Sequence, residues 1–175
     1  IDLRGRQLAA PTPQIEHGDE AIIAARKALH ADAWAGLEAH ERYALLRRYA
    51  DLAKERAGAL AALICDETGK AWWEATAEAG AIADKVAITL DESPQMGLSR
   101  VSRIKLQLSE TRQGIASFRP HGVMAVVGPF NFPAPLANAP IVPALATGNT
   151  VVYKPKDTTY GVGEFRGACC TSSSV

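Results

Sequence analysis

The chain is poor in the residues that mark disulfide-linked and metal-binding proteins. Its three cysteines are Cys65, Cys169 and Cys170, an odd number with two adjacent in sequence. Such a set does not make a disulfide framework, which favours a reducing compartment, so we expect a cytoplasmic protein. The four histidines lie at least ten residues apart and lack the spacing of a zinc site, so no metal ion is expected.

Net charge and long apolar runs are also missing. The 19 basic and 19 acidic side chains cancel, which argues against a protein that binds nucleic acid through its charge. No apolar run approaches the roughly 20 residues of a membrane-spanning helix, and no basic segment followed by an apolar one opens the sequence. We therefore expect neither a membrane partner nor a secretory signal. The hydrophobic fraction of 47% and the length of 175 residues suit one soluble domain.

Alanine and proline divide the chain into two parts. Of 32 alanines, 22 lie between Ala21 and Ala87, and because alanine has the highest helix propensity this part is predicted to be helical. Six of the ten prolines lie between Pro129 and Pro155. Helices followed by a part that is punctuated with proline and glycine predict an α/β fold.

Hydrophobic periodicity predicts four helices, at residues 19–30, 38–65, 72–92 and 134–146. Gly58 is expected to interrupt the second of these helices, and Gly69 to end it. Alternating apolar and polar residues over 100–108 predict a half-exposed strand, with 115–119 as its hairpin partner.

Two continuously apolar stretches, residues 123–127 and 149–153, are typical of strands buried on both faces. With the helix predicted between them they form a β-α-β unit of parallel strands. Ligands of open parallel sheets bind at the carboxyl ends of the strands. The residues that follow positions 127 and 153 are therefore candidates for a site.

The segment 128–133 (GPFNFP) follows the first of these strands and carries Asn131. An asparagine at this place can direct its amide into the crevice and stabilise an oxyanion, an effect worth about 3–4 kcal/mol in acyl-transfer enzymes. It can equally cap the helix that follows. From the residues alone both interpretations stay open.

Lys154 and Asp157 stand at the end of the second strand. The ammonium can donate to ribose hydroxyls or to phosphate, and the carboxylate can accept from a hydroxyl. The alternative is a solvated surface turn. Because the sequence has no glycine-rich phosphate loop, motifs alone do not establish a nucleotide site.

Structural roles are expected for three further features. Segment 67–70 (ETGK) is interpreted as the C-terminus of a helix with a cation after it. Trp72 and Trp73 are expected at the core and at the edge of the next helix. Cys65 is expected to be a small buried apolar side chain.

Several stretches, in order and at matching spacing, resemble the aldehyde dehydrogenase family. The resemblance runs from about Asp19 to Asp157 and includes residues 67–70, 120–123 (PHGV), 128–133, 143–145 (PAL) and 148–155 (GNTVVYKP). It implies oxidation of an aldehyde to the carboxylate with NAD or NADP, through a cysteine thiohemiacetal and a thioester.

For the fold, the resemblance implies an incomplete α/β architecture within residues 1–160. Its parts are N-terminal helices, a β-hairpin of the oligomerisation type over residues 100–119, and the first β-α-β unit of a Rossmann-like NAD(P)-binding domain. The implied partners are a small aldehyde and further copies of the chain in a homo-oligomer. The implied cofactor is NAD or NADP, with NAD favoured.

Individual residues also match functional positions of the family. Asn131 matches the asparagine that stabilises the oxyanion, Lys154 the lysine that holds the adenosine ribose, and Asp157 a ribose-binding acid of many members. The positions that line the cofactor cleft are matched by Val127 and Phe130, and those that line the aldehyde tunnel by Phe132 and Leu136.

Within the family, the nearest branch resembles the succinylglutamate-semialdehyde dehydrogenases of arginine catabolism. The similar stretches are residues 119–123, 131–133 and 141–145, while Ala139-Pro140 departs from the Gly-His pair of that branch. A semialdehyde such as succinylglutamate semialdehyde is therefore the expected substrate of the complete enzyme.

Complete family members are more than twice this long, and the similarity fades after Thr159. Residues 161–175 are expected to form an unmatched tail that does not continue the helix of the family. Alternatively, residues 167–171 are a remnant of the nucleophile loop, with Cys170 in the place of the nucleophile. The alternative to an enzyme is thus a truncated, inactive fragment that acts at most as an assembly or binding module.

Overall fold

The computed structural model of the chain describes residues 15–31, 34, 36–93, 96–101 and 104–173. Four helices come first: α1 (Ile15–His30), α2 (Ala39–Glu55), α3 (Ala57–Thr68) and α4 (Trp72–Thr89). A short 3₁₀ helix (Gly97–Val101) leads to the strands β1 (Ile104–Gln107) and β2 (Gln113–Ala116). The chain continues with β3 (Val123–Val127), α5 (Pro135–Ala146), β4 (Thr150–Lys154), a 3₁₀ turn (Asp157–Thr159) and α6 (Tyr160–Ser173). None of the helices described here is long and apolar enough to cross a membrane.

The main core lies among α2, α3 and α4, and α5 and α6 pack against it. Small alanines let these helices approach one another closely, and larger apolar side chains fill the space between them. The fully buried members include Leu60, Ile64, Ile82, Val86, Val142 and Val162. The predicted helical half of the chain is therefore confirmed.

The structure confirms one predicted helix end and corrects two other predictions about the helices. The predicted second helix is two helices, but the break falls at Arg56 and not at Gly58. Gly69 has a φ of 76° and ends α3 as expected, since glycine adopts the left-handed conformation without a steric penalty. Residues 160–173 form α6, so the expectation that the tail does not continue as a helix is wrong.

The strands form two separate pairs among the described residues. β1 and β2 are antiparallel, with Ile104 opposite Ala116, which confirms the hairpin, although both strands are shorter than predicted. β3 and β4 are parallel, with Val123 opposite Thr150, and α5 connects them, so the β-α-β unit is confirmed. The prediction that both strands are buried on both faces is wrong. Ala125 and Val127 of β3 are exposed, and the middle residues of β4 are only half-buried.

Glu67 joins the helical half to the start of α6. Its carboxylate accepts the backbone N–H groups of Gly161 and Val162 at 2.7 and 3.0 Å. These are among the N–H groups that have no partner within a helix, and the positive end of the helix dipole favours an anion there. Burial raises the pKa of Glu67 above its usual 4.5, and the two backbone hydrogen bonds oppose that shift.

Arg166 is buried without an acidic partner among the described residues. One Nη donates to Asn138 Oδ1 at 2.8 Å, and the guanidinium carbon lies 4.9 Å from the centre of the Tyr153 ring. The Nε and the other Nη have no partner at hydrogen-bond distance and angle among the residues that the structure describes. Asn138 Oδ1 also accepts from the Tyr49 hydroxyl at 3.2 Å, so it keeps a donor without Arg166.

We predict that Arg166→Met raises the free energy of unfolding of this chain by about 1 kcal/mol, because unpaired buried donors cost about 1–3 kcal/mol. Methionine fills similar space without polar groups. Urea unfolding followed by circular dichroism measures the change, with the exposed Arg47→Met as the control. A loss of stability beyond that of the control would show that the guanidinium is a net stabilising group.

A second prediction follows from the raised pKa of Glu67. The folded chain binds this proton more strongly than the unfolded chain, so the stabilisation is present below about pH 4.5 and is lost as the pH rises through the raised pKa. The stability of the wild type relative to Glu67→Gln should therefore fall as the pH increases from about 4.5. Thermal unfolding across that range tests this, with Glu55→Gln as the control. A constant difference would contradict it.

Candidate functional site

The two predicted strand ends meet at one edge of the β3–β4 pair. Val127 and Lys154 are partners in the last pair of the register, and the N–H of Gly128 donates to the carbonyl of Lys154 at 2.9 Å. Two loops begin side by side at this point. One runs from residue 128 to residue 134 and enters α5, and the other runs from 155 to 159 and enters α6.

Lys154 and Asp157 form an ion pair on the second loop. The Nζ of Lys154 lies 2.5 Å from Oδ1 of Asp157, and both side chains are more than half exposed. The hydrogen bond from Lys154, together with its charge, lowers the pKa of Asp157 below its usual 3.8. A donor and an anionic acceptor therefore stand together in reach of solvent, an arrangement that suits the adjacent hydroxyls of a sugar.

Asn131 is exposed, and its side-chain amide makes no hydrogen bond to any residue that the structure describes. The N-cap position of α5 belongs to Ala134, three residues further on. The helix-cap interpretation of Asn131 is therefore wrong. Its amide is available to a ligand.

A lysine and a glutamate from the helical half hold the loop that carries Asn131. Lys70 Nζ donates to the backbone carbonyl of Asn131 at 2.5 Å, forms an ion pair with Glu78, and lies 3.8 Å from the centre of the Phe132 ring. The other oxygen of Glu78 accepts the N–H of Ala134 at 3.1 Å. The ion pair is well shielded, since the Glu78 side chain is 1% exposed.

Apolar side chains are exposed along the same loop and the start of α5. The four residues assigned to the cofactor cleft and the aldehyde tunnel are all among them: Val127 is 76% exposed, Phe130 62%, Phe132 48% and Leu136 48%. An exposed group of large apolar side chains beside polar ones is typical of a surface that a ligand or another protein surface covers.

The thiols near the end of the chain do not have the environment of a nucleophile. Residues 167–171 lie within α6 and not in a loop. Burial raises the pKa of both Cys169 and Cys170 above the usual 9.0. The thiolate is the reactive form, so a raised pKa disfavours it. Nothing in this helix supports Cys170 as a remnant of a nucleophile loop.

Sequence reasoning missed three residues that hold the site, Glu67, Lys70 and Glu78. One signal was present for Glu67, since an acidic residue in the last turn of a helix faces the negative end of the helix dipole and is unfavourable there without another contact.

Trp72 was wrongly expected in the core and is 57% exposed. Among the described residues, no group of histidine, cysteine or acidic side chains could hold a metal ion.

Comparison with known proteins extends these observations. The family model described as "Aldehyde dehydrogenase family" matches residues 8–172, which includes most of the tail that was expected to be unmatched. N-succinylglutamate 5-semialdehyde dehydrogenase of Burkholderia multivorans is 45% identical over 148 residues, which are 83% of this chain and 28% of that protein. The enzyme of the same name from Escherichia coli is 43% identical over the same shares.

Solved structures agree with this match. One is an NADP-dependent glyceraldehyde-3-phosphate dehydrogenase from Bacillus halodurans complexed with NADP, which is 31% identical with a TM-score of 0.82. The match covers 94% of this chain and 34% of that protein. An NAD-dependent aldehyde dehydrogenase from Sinorhizobium meliloti is 27% identical with a TM-score of 0.84, and covers 94% and 32%. The chain thus spans about 28–34% of these relatives. The chain belongs to the aldehyde dehydrogenase family.

Proposed function

We propose that this chain supplies the N-terminal part of the Rossmann-like NAD(P)-binding domain of an enzyme that oxidises an aldehyde to the carboxylate through a cysteine thioester. The observation that carries the proposal is the meeting of two strand ends. Val127 and Lys154 are paired there, and Asn131 and Asp157 follow within four residues. The carboxyl edge of parallel strands is where such sheets bind their ligands.

The residues of this edge fit a nicotinamide dinucleotide. Lys154 donates to the ribose hydroxyls and Asp157 accepts from them, and both are exposed. Val127 and Phe130 offer apolar surface beside them. An acidic side chain at the ribose accepts from a 2′-hydroxyl and repels a 2′-phosphate, which supports NAD over NADP. When bound, the cofactor accepts the hydride of the reaction.

Asn131 is proposed to donate its amide N–H to the substrate oxygen. The carbonyl oxygen gains charge when a nucleophile attacks, so a fixed donor stabilises the transition state more than the ground state. Phe132 and Leu136, both about half exposed, would line the path of the aldehyde. The names of the relatives support a semialdehyde such as succinylglutamate semialdehyde as the substrate. A place in arginine catabolism is what the resemblance to that branch of the family implies.

Asn131→Ala in the complete enzyme should lower kcat by about 10²–10³, by comparison with other oxyanion donors, and leave the KM for the cofactor nearly unchanged. Lys154→Ala should instead raise the KM for the cofactor, because its contact is to a part that does not react. Steady-state formation of NAD(P)H measures both variants, and each serves as the control of the other. If Asn131→Ala keeps the wild-type kcat, Asn131 is not the oxyanion donor.

We also propose that the hairpin β1–β2 mediates a homo-oligomer. Ile104 and Leu106 are exposed on one face of β1, and Leu108, the first residue after the strand, is exposed as well. The outer edges of the hairpin have no neighbouring strand among the described residues. Unpaired edges with apolar side chains favour association.

The chain should therefore form a dimer or a larger species at micromolar concentration. Ile104→Lys with Leu106→Lys should shift it towards the monomer, because two charges would have to be buried. Gln107→Lys, which adds a charge on the other face of the strand, is the control. Light scattering coupled to size exclusion measures the mass, and a monomeric wild type would refute the proposal.

The alternative is that the chain is catalytically inactive and acts at most as an assembly or binding module. The family's nucleophile loop, general base and catalytic domain have no recognisable counterpart in the chain, and both thiols in α6 have raised pKa values. We therefore propose that turnover belongs to the complete subunit and that this chain by itself has none.

A further inference from the structure

We propose that Lys70 and Glu78 form a positioning pair that fixes the direction of the Asn131 amide. Neither side chain would touch the substrate. Their effect would be on how well the amide meets the oxyanion, so the inference rests on the proposed role of Asn131.

The ammonium of Lys70 has three N–H groups and three neighbours. It donates to the carboxylate of Glu78 and to the backbone carbonyl of Asn131, and it faces the ring of Phe132 at 3.8 Å. A cation over an aromatic face is attracted to it, and more strongly when solvent is excluded. Lys70 therefore holds both the peptide that follows Asn131 and the next side chain.

The carboxylate of Glu78 is equally occupied. One oxygen accepts from Lys70, and the other accepts the N–H of Ala134 at the start of α5. A buried carboxylate is stable only when it is paired and hydrogen-bonded, and these two contacts provide both conditions. The pair thus links α4 to the loop and to the helix that follows it, across 56 residues of sequence.

The loop 128–134 is held at three points by these contacts. Gly128 bonds to the carbonyl of Lys154, Asn131 to Lys70 and Ala134 to Glu78. The side-chain amide of Asn131 has no partner of its own among the described residues. The position of this amide therefore depends on the backbone of Asn131. The hydrogen bond from Lys70 to the Asn131 carbonyl is the described contact that fixes the peptide plane at this residue.

The test replaces the pair by neutral residues of similar size, Lys70→Met with Glu78→Gln. Removing both charges avoids an unpaired buried carboxylate, and the glutamine oxygen can still accept from Ala134. The matched control is Lys54→Met with Glu74→Gln, which removes one exposed charge of each sign. Both double variants are made in this chain and in the complete subunit.

In this chain the readout is ¹⁵N relaxation of the backbone amides of Asn131 and Phe132. We expect order parameters typical of a rigid segment, about 0.85, in the wild type and the control, and values below about 0.6 in the double variant. The amides of Ile82 and Val86 in the core should stay rigid. An unchanged Asn131, or an equal loss of order in the core, would overturn the positioning role.

In the complete subunit we expect the double variant to lower kcat about tenfold and to leave the KM for the cofactor unchanged, as for a misplaced reacting group. In an Asn131→Ala background the same change should have no further effect. If Asn131→Ala lowers kcat but the pair acts independently of it, only the positioning inference fails. If Asn131→Ala leaves kcat unchanged, the proposed function of Asn131 fails.

Discussion

Two carboxylates of the helical half hold the two helices that flank β4, and the site depends on them. Glu78 accepts the N–H of Ala134 at the start of α5, and Glu67 accepts those of Gly161 and Val162 at the start of α6. Each bond satisfies a backbone donor that a helix cannot satisfy internally. Because each helix follows one of the two strand-end loops, the helical half determines where both loops end.

The two attachments differ in their electrostatics. Glu78 is shielded from solvent and has Lys70 beside it, so both charges are compensated where they are buried. Glu67 receives only backbone N–H groups among its described partners, and burial raises its pKa. The loop that carries Asn131 is therefore held by an ion pair, whereas the loop with Lys154 and Asp157 is held by a carboxylate that gives up its proton less readily.

Local signals in the sequence predicted the helices, the parallel strands and the residues at the strand ends, because alanine content and apolar runs act within a few residues. The helix α6 escaped them because its glycines and its serine-rich end have low helix propensity. Tertiary contacts override that propensity: Glu67 caps the helix, Val162 is fully buried, and a Cβ on Gly163 would lie 2.7 Å from Pro155. The hydrogen bond from Lys70 to the Asn131 carbonyl could not be predicted from local signals either, because the two residues are 61 positions apart in the sequence.

The exposed and the buried parts of the site have separate origins. Val127 is mostly exposed to solvent, and the side-chain amide of Asn131 has no described partner. The backbone of the loop is held by hydrogen bonds to Lys154 of β4, to Lys70 between α3 and α4, and to Glu78 of α4. The loop is thus ordered by the protein itself and not by what it binds. A site that is ordered beforehand does not lose binding free energy to the ordering of its loops. If Asn131 has the proposed role, the same order would present its donor to the developing charge with little reorganisation, which is the condition under which an oxyanion donor is most effective.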